Sequence, residues 1–90
     1  MRVARRFVIS GRVQGVGFRY FAQNAAAREG VAGWVQNLPD GGVEAFVEGD
    51  EDAVTRVERA LRSGPAGARV EHVHVQDEEA AGTLKGFRIR

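Results

Sequence analysis

Apolar Phe7 and Ile9 alternate with Arg6, Val8 and Ser10, a period of two that predicts a strand from about Val3 to Arg12. The period then changes. Phe18, Phe21, Ala22 and Ala25 fall at helical spacing, and Gly30 supplies a left-handed stop, predicting a helix from about Gly17 to Glu29. The runs Trp34–Asn37 and Val43–Glu48 flank Pro39-Asp40-Gly41-Gly42, whose proline and glycines suit the turn of a β-hairpin. Ala53, Val54, Val57, Ala60 and Leu61 form one stripe of a second helix, with Asp50 placed to cap it and Gly64-Pro65 to end it near Arg62. Val73 and Val75 alternate with His72, His74 and Gln76 in a fourth strand. Asp77 to Gly82 reads as a loop, and Phe87 and Ile89 mark a short last strand.

The order is βαββαβ plus a terminal strand. It predicts an α+β, ferredoxin-like sandwich, with two helices packed on one face of a mainly antiparallel sheet. Ninety residues suffice for one core, so residues 1–90 are expected to form a single domain.

The absence of cysteine excludes a disulfide framework, a thiol nucleophile and a thiolate metal cluster, and suits a cytoplasmic setting. A net charge of +1 argues for neither nucleic acid nor membrane. No apolar run reaches the length of a signal core or a membrane span. Charge is uneven along the chain: Arg2, Arg5, Arg6, Arg12 and Arg19 precede the first acid, Glu29, whereas Glu44, Glu48, Asp50, Glu51 and Asp52 make the middle acidic. These read as solvated strand and loop faces, with the three acids at 50–52 favouring a helix start.

Candidate chemistry lies where the first strand meets the first helix. Gly11-Arg12-Val13-Gln14-Gly15-Val16-Gly17-Phe18-Arg19 feeds a glycine-punctuated bend into a helix, whose free N–H groups and partial positive charge suit an anion. A cation on a helix's first turn is electrostatically unfavourable unless an anion sits beside it. Arg19 has that place, with a fork that matches phosphate oxygens; its alternative partner is a carboxylate or solvent. Asn37, just before the hairpin turn, is a turn former on spacing alone, but the hairpin can bring it beside the loop, where an amide could hold a water without deprotonating it. His72 and His74 share a strand face, but no third ligand makes a metal site of them. Trp34 and Phe18 read as core or pocket wall.

Ile9–Arg19 resembles the first signature of the acylphosphatases, and Gly33-Trp34-Val35-Gln36-Asn37 with Gly41, Val43 and Gly49 resembles their second. Together the two segments span 28 of the 90 residues. The resemblance implies hydrolysis of the carboxyl–phosphate anhydride bond of a small-molecule acyl phosphate, by a monomer that uses no metal or other cofactor. It implies Arg19 as the phosphate-binding and Asn37 as the water-orienting catalytic residue, with the backbone N–H groups of Gln14, Gly15, Val16, Gly17 and Phe18 as the phosphate cradle. Gly17 occupies a variable family position, and Gln36 stands where many relatives carry lysine. Neither signature offers a conventional acid–base pair before Asp40. An acyl phosphate tolerates this, because its leaving carboxylate, with a pKa of about 4, departs without a proton donor.

Two other functions fit a similar fold. An RNA-recognition module would need basic and aromatic residues on its central strands, but Val43–Glu48 offers Phe46 with two glutamates. A binding domain without hydrolysis would leave Asn37 superfluous.

Overall fold

The computed structural model describes residues 1–90. Its elements are β1 (Arg2–Arg12), α1 (Phe18–Glu29), β2 (Ala32–Asn37), β3 (Val43–Asp50), α2 (Glu51–Ser63), β4 (Arg69–Glu78) and β5 (Phe87–Ile89). The strands form one sheet in the order β4-β1-β3-β2-β5. Three pairings are antiparallel, and β5 joins β2 in parallel. The ferredoxin-like layout expected from the periodicity is present, with both helices on one face.

Strand alternation decides which side chains meet the helices. Phe7 and Ile9 of β1, Val35 of β2, and Val43, Ala45 and Val47 of β3 point to the same face and are fully buried. They pack with Phe18, Ala22 and Ala26 of α1 and Val54, Val57 and Leu61 of α2 in a single core. The opposite face carries Arg6, Gln36 and Glu44, all partly buried. Arg6 Nη1 donates to Glu44 Oε2 at 2.6 Å, and Gln36 Nε2 donates to Glu44 Oε1 at 2.7 Å. Burial pushes the Glu44 carboxyl pKa up, but these hydrogen bonds and the charges of Arg6 and Arg90 outweigh it, leaving it below the ordinary value.

Several expectations change. The acidic middle of the chain is not uniformly solvated: Glu48 is 0 % exposed. Its carboxylate accepts from Ala81 N (2.8 Å), Gly82 N (2.7 Å) and Arg2 Nε (3.0 Å), because the segment between β4 and β5 crosses over it. Nor is the basic N-terminal stretch a free field. Arg2, Arg5 and Arg6 are paired with Glu48, Glu58 and Glu44 respectively. Asp50 takes the N-cap position of α2 but makes no side-chain cap bond. Its carboxylate lies 3.4 Å from the Met1 amine, while Glu51 N donates to Met1 O. The loop expected from Asp77 begins later, since β4 continues to Glu78 and pairs Asp77 with Arg5.

Candidate active site

The segment Gln14–Gly17 belongs to no helix or strand, and none of its backbone N–H groups finds an acceptor within the protein. Its course depends on two glycines. Gly15 and Gly17 have φ of +75° and +76°, a left-handed conformation that costs an L-residue about 1–2 kcal/mol. Left-handed turns alternating with ordinary ones swing successive N–H groups towards a common side, making a concavity suited to an anion. Gly17 is also the N-cap of α1, which has neither a side-chain cap nor an acidic residue in its first turn. The positive end of the helix is therefore left unneutralised by the protein's own side chains.

Buried Val13 and Phe18 bracket this loop and root it in the core. The Gln14 side chain fixes it laterally: Nε2 donates to Leu38 O and Gly42 O, both at 2.8 Å, and so ties the loop to both ends of the β2–β3 turn. Asn37 is the residue before Leu38. The hydrogen bonds thus hold the loop and the asparagine in one unit, although Gln14 and Asn37 are more than twenty positions apart in sequence.

Val13, Gly15, Gly17, Phe18, Arg19, Tyr20 and Asn37 line one cavity of about 170 Å³. Arg19 and Asn37, proposed from separate segments, are brought to the same opening. Gln14 and Val16 do not line it. Their side chains turn instead to the turn carbonyls and to the core, respectively. Arg19 pairs with no aspartate or glutamate side chain. Its Nη1 donates to the main-chain oxygen of Arg90 at 3.1 Å, which orients the guanidinium while the remaining N–H groups stay available. Asn37 is exposed, and its side chain makes no hydrogen bond to the protein.

Two contributors were not apparent from the pattern of residues. The Gln14 side chain acts as a latch, for which residue type gives no signal. Tyr20, 66 % exposed, forms part of the cavity wall; a large aromatic left in solvent on an otherwise polar helix position was the available hint. The largest cavity, about 410 Å³, lies elsewhere, between α1 and residues 84–87. His72 and His74 are exposed, and no group of three or more His, Cys, Asp or Glu side chains is placed to hold a metal.

The acylphosphatase family profile matches residues 5–89. The acylphosphatase of Anaeromyxobacter dehalogenans (strain 2CP-C) is 53 % identical over 89 residues, covering 99 % of this chain and 96 % of that one. Among solved structures, the acylphosphatase of Bacillus subtilis superposes with a TM-score of 0.94 at 38 % identity, with 98 % of each chain covered. One from Coxiella burnetii gives 0.93 at 31 %, covering 99 % of this chain and 93 % of that one. Fold and relatives together place the protein among the hydrolases that act on acid anhydrides. The chain belongs to the acylphosphatase family.

Proposed function

We propose that the protein hydrolyses small acyl phosphates at the cavity shared by the Gln14–Phe18 loop, Arg19 and Asn37. The observation that carries this reading is that two loop glycines whose N–H groups have no acceptor in the protein, Gly15 and Gly17, line one opening together with a cation, Arg19, and an amide, Asn37. Phosphoryl transfer needs little covalent help from the protein. Its loose transition state spreads negative charge over the equatorial oxygens, so that positioning and charge stabilisation dominate. The backbone N–H groups and Arg19 stabilise that charge. Asn37 holds a water in line with the bond to be broken. The water oxygen attacks phosphorus, the P–O bond to the acyl group breaks, and its electron pair leaves on the carboxylate. The water's proton passes to a phosphate oxygen, giving inorganic phosphate. Since the leaving group needs no proton, the absence of a general acid is no obstacle.

No helix is long and apolar enough to cross a membrane. The reading is completed by a cytoplasmic monomer acting on a small molecule rather than on nucleic acid or a membrane, with no metal or cofactor.

The test is a chelator-treated assay with a simple aromatic acyl phosphate, using a phosphomonoester as control. Arg19→Ala is expected to lower turnover by about 10²–10³-fold, the scale of a lost charge-stabilising donor. Asn37→Ala should abolish most turnover while leaving inhibition by phosphate nearly unchanged. Normal rates in a folded Arg19→Ala protein, or cleavage of the monoester alone, would overturn the proposal.

A further inference from the structure

A second concentration of positive charge lies away from the phosphate loop. Lys85, Arg88 and Arg90 line a cavity of about 350 Å³ that also includes Trp34 and Thr83. No aspartate or glutamate lines it. Arg2, Arg5, Arg6, Arg56 and Arg62 are all paired with carboxylates, but none of these three cations is.

The group is partly pre-organised. The Arg90 guanidinium sits 4.2 Å from the centre of the Trp34 ring, a cation–π contact that fixes its plane and leaves the N–H groups at its edge free to bind. Its main chain is held as well, since Arg90 N donates to Val35 O at 2.8 Å and its oxygen accepts from Arg19. Strand pairing sets Arg88 opposite Trp34. Lys85 is placed by the bond from Gly33 N to Gly86 O. Glu44 lies within electrostatic range of Arg90, but it is already engaged by Arg6 and Gln36 and does not line the cavity.

Three like charges around one concavity repel one another, and a ligand of opposite charge removes that repulsion. A single negative charge among them still leaves the group net positive, so a ligand with two or three is held more tightly. We infer that this cavity is a second anion-binding site, for a ligand carrying two or more negative charges on phosphate or carboxylate groups. It takes either the far end of a substrate whose acyl part is itself anionic or a separate polyanion. The first of these occupants rests on the hydrolytic reading and the second does not, and occupancy of the site is measured without turnover.

The experiment titrates methylene bisphosphonate, which cannot be hydrolysed, into the isotopically labelled full chain at constant ionic strength, followed by NMR. Wild type, Arg19→Ala and the double variant Lys85→Ala/Arg88→Ala are compared. The two residues of the double variant are exposed and make no side-chain hydrogen bond, so the fold should persist, as amide spectra will show. Saturable shifts of the Trp34 indole and of amides 83–90 are expected in wild type and Arg19→Ala, weakened at least tenfold in the double variant. Shifts that fail to saturate, or that survive the double substitution, overturn the inference. Kinetics on the double variant then separate the two sources. A raised KM confined to acyl phosphates with a second anionic group identifies the substrate's far end. An unchanged KM, with loss of a bisphosphonate effect on kcat, identifies a separate ligand.

Discussion

Glu48→Gln offers a sharp test of how the sheet and its crossover segment are held together. The carboxylate is fully buried, and its two oxygens divide the work: Oε1 accepts from Ala81 N at 2.8 Å, while Oε2 accepts from Gly82 N at 2.7 Å and Arg2 Nε at 3.0 Å. Glutamine has nearly the same shape but only one acceptor atom. In its better orientation the amide oxygen keeps Gly82 and Arg2, and the NH₂ group confronts Ala81 N, donor against donor. One buried backbone N–H without a partner costs about 1–3 kcal/mol, and the surviving bonds lose the strength that an ionised acceptor gave them. The Arg2 side chain is about half exposed (48 %), so its ion pair adds little. The sum is about 2–4 kcal/mol. For a domain of this size that lowers Tm by about 10–25 °C.

Urea and thermal melts followed by circular dichroism measure the change, and a pH series identifies its origin. Burial pushes the Glu48 pKa up, but the Gly82 and Ala81 N–H groups and Arg2 outweigh burial and leave it below the ordinary value. A carboxylate with a depressed folded pKa stabilises the protein fully above its unfolded value. That contribution is lost as pH falls through the folded value. The gap between wild type and Glu48→Gln should therefore be constant from about pH 7 to 5 and narrow below about pH 4, near the unfolded glutamate pKa. Glu44 is shifted in the same direction but is present in both proteins, so it cancels from the difference. A loss under about 0.5 kcal/mol at pH 7, or a gap that widens on acidification, would refute the reasoning.

Three further substitutions bear on the site and its supports. Gln14→Ala removes both bonds to the β2–β3 turn. It should cost about 1 kcal/mol in urea melts and lower kcat more than it weakens inhibition by phosphate, because Asn37 rather than the loop is released. Gly17→Ala meets no atom within 4 Å, so its cost is the left-handed backbone alone, about 1–2 kcal/mol, and Gly17→Asn should recover part of it. Asp50→Ala should change stability by less than about 0.5 kcal/mol, since its carboxylate caps nothing; a loss beyond 1 kcal/mol would show that it does.

Elements with one buried and one open face were legible from the sequence, because burial writes a period into residue type. Phe7 and Ile9 marked β1, and Val54, Val57 and Leu61 marked α2. Its acylphosphatase-like signatures likewise marked the loop, Arg19 and Asn37 before any of them had a position. β4 was legible only around Val73 and Val75. It is an edge strand with exposed Arg69, Glu71 and Asp77, and the register shift at Ser10/Gly11 leaves Glu71 as an extra residue that breaks the alternation. Side-chain partners were the least legible, being set by chain segments far apart. Glu48 sits on the nominally open face of β3 and reads as solvated until a segment more than thirty residues later covers it.

Those distant contacts reach the candidate site. Glu48 fixes Ala81 and Gly82, and Gly33 N fixes Gly86 O, so the crossover segment is pinned before it enters β5. β5 then pairs with β2, Gln23 of α1 donates to Phe87 O, and the strand delivers the Arg90 oxygen to Arg19. A cation at the start of a helix is disfavoured by the helix dipole and needs an external acceptor to hold its orientation. The last strand supplies one. Arg19 is therefore a candidate from its signature alone, but the acceptor that holds its guanidinium comes from the far end of the chain, which neither its type nor its position announces.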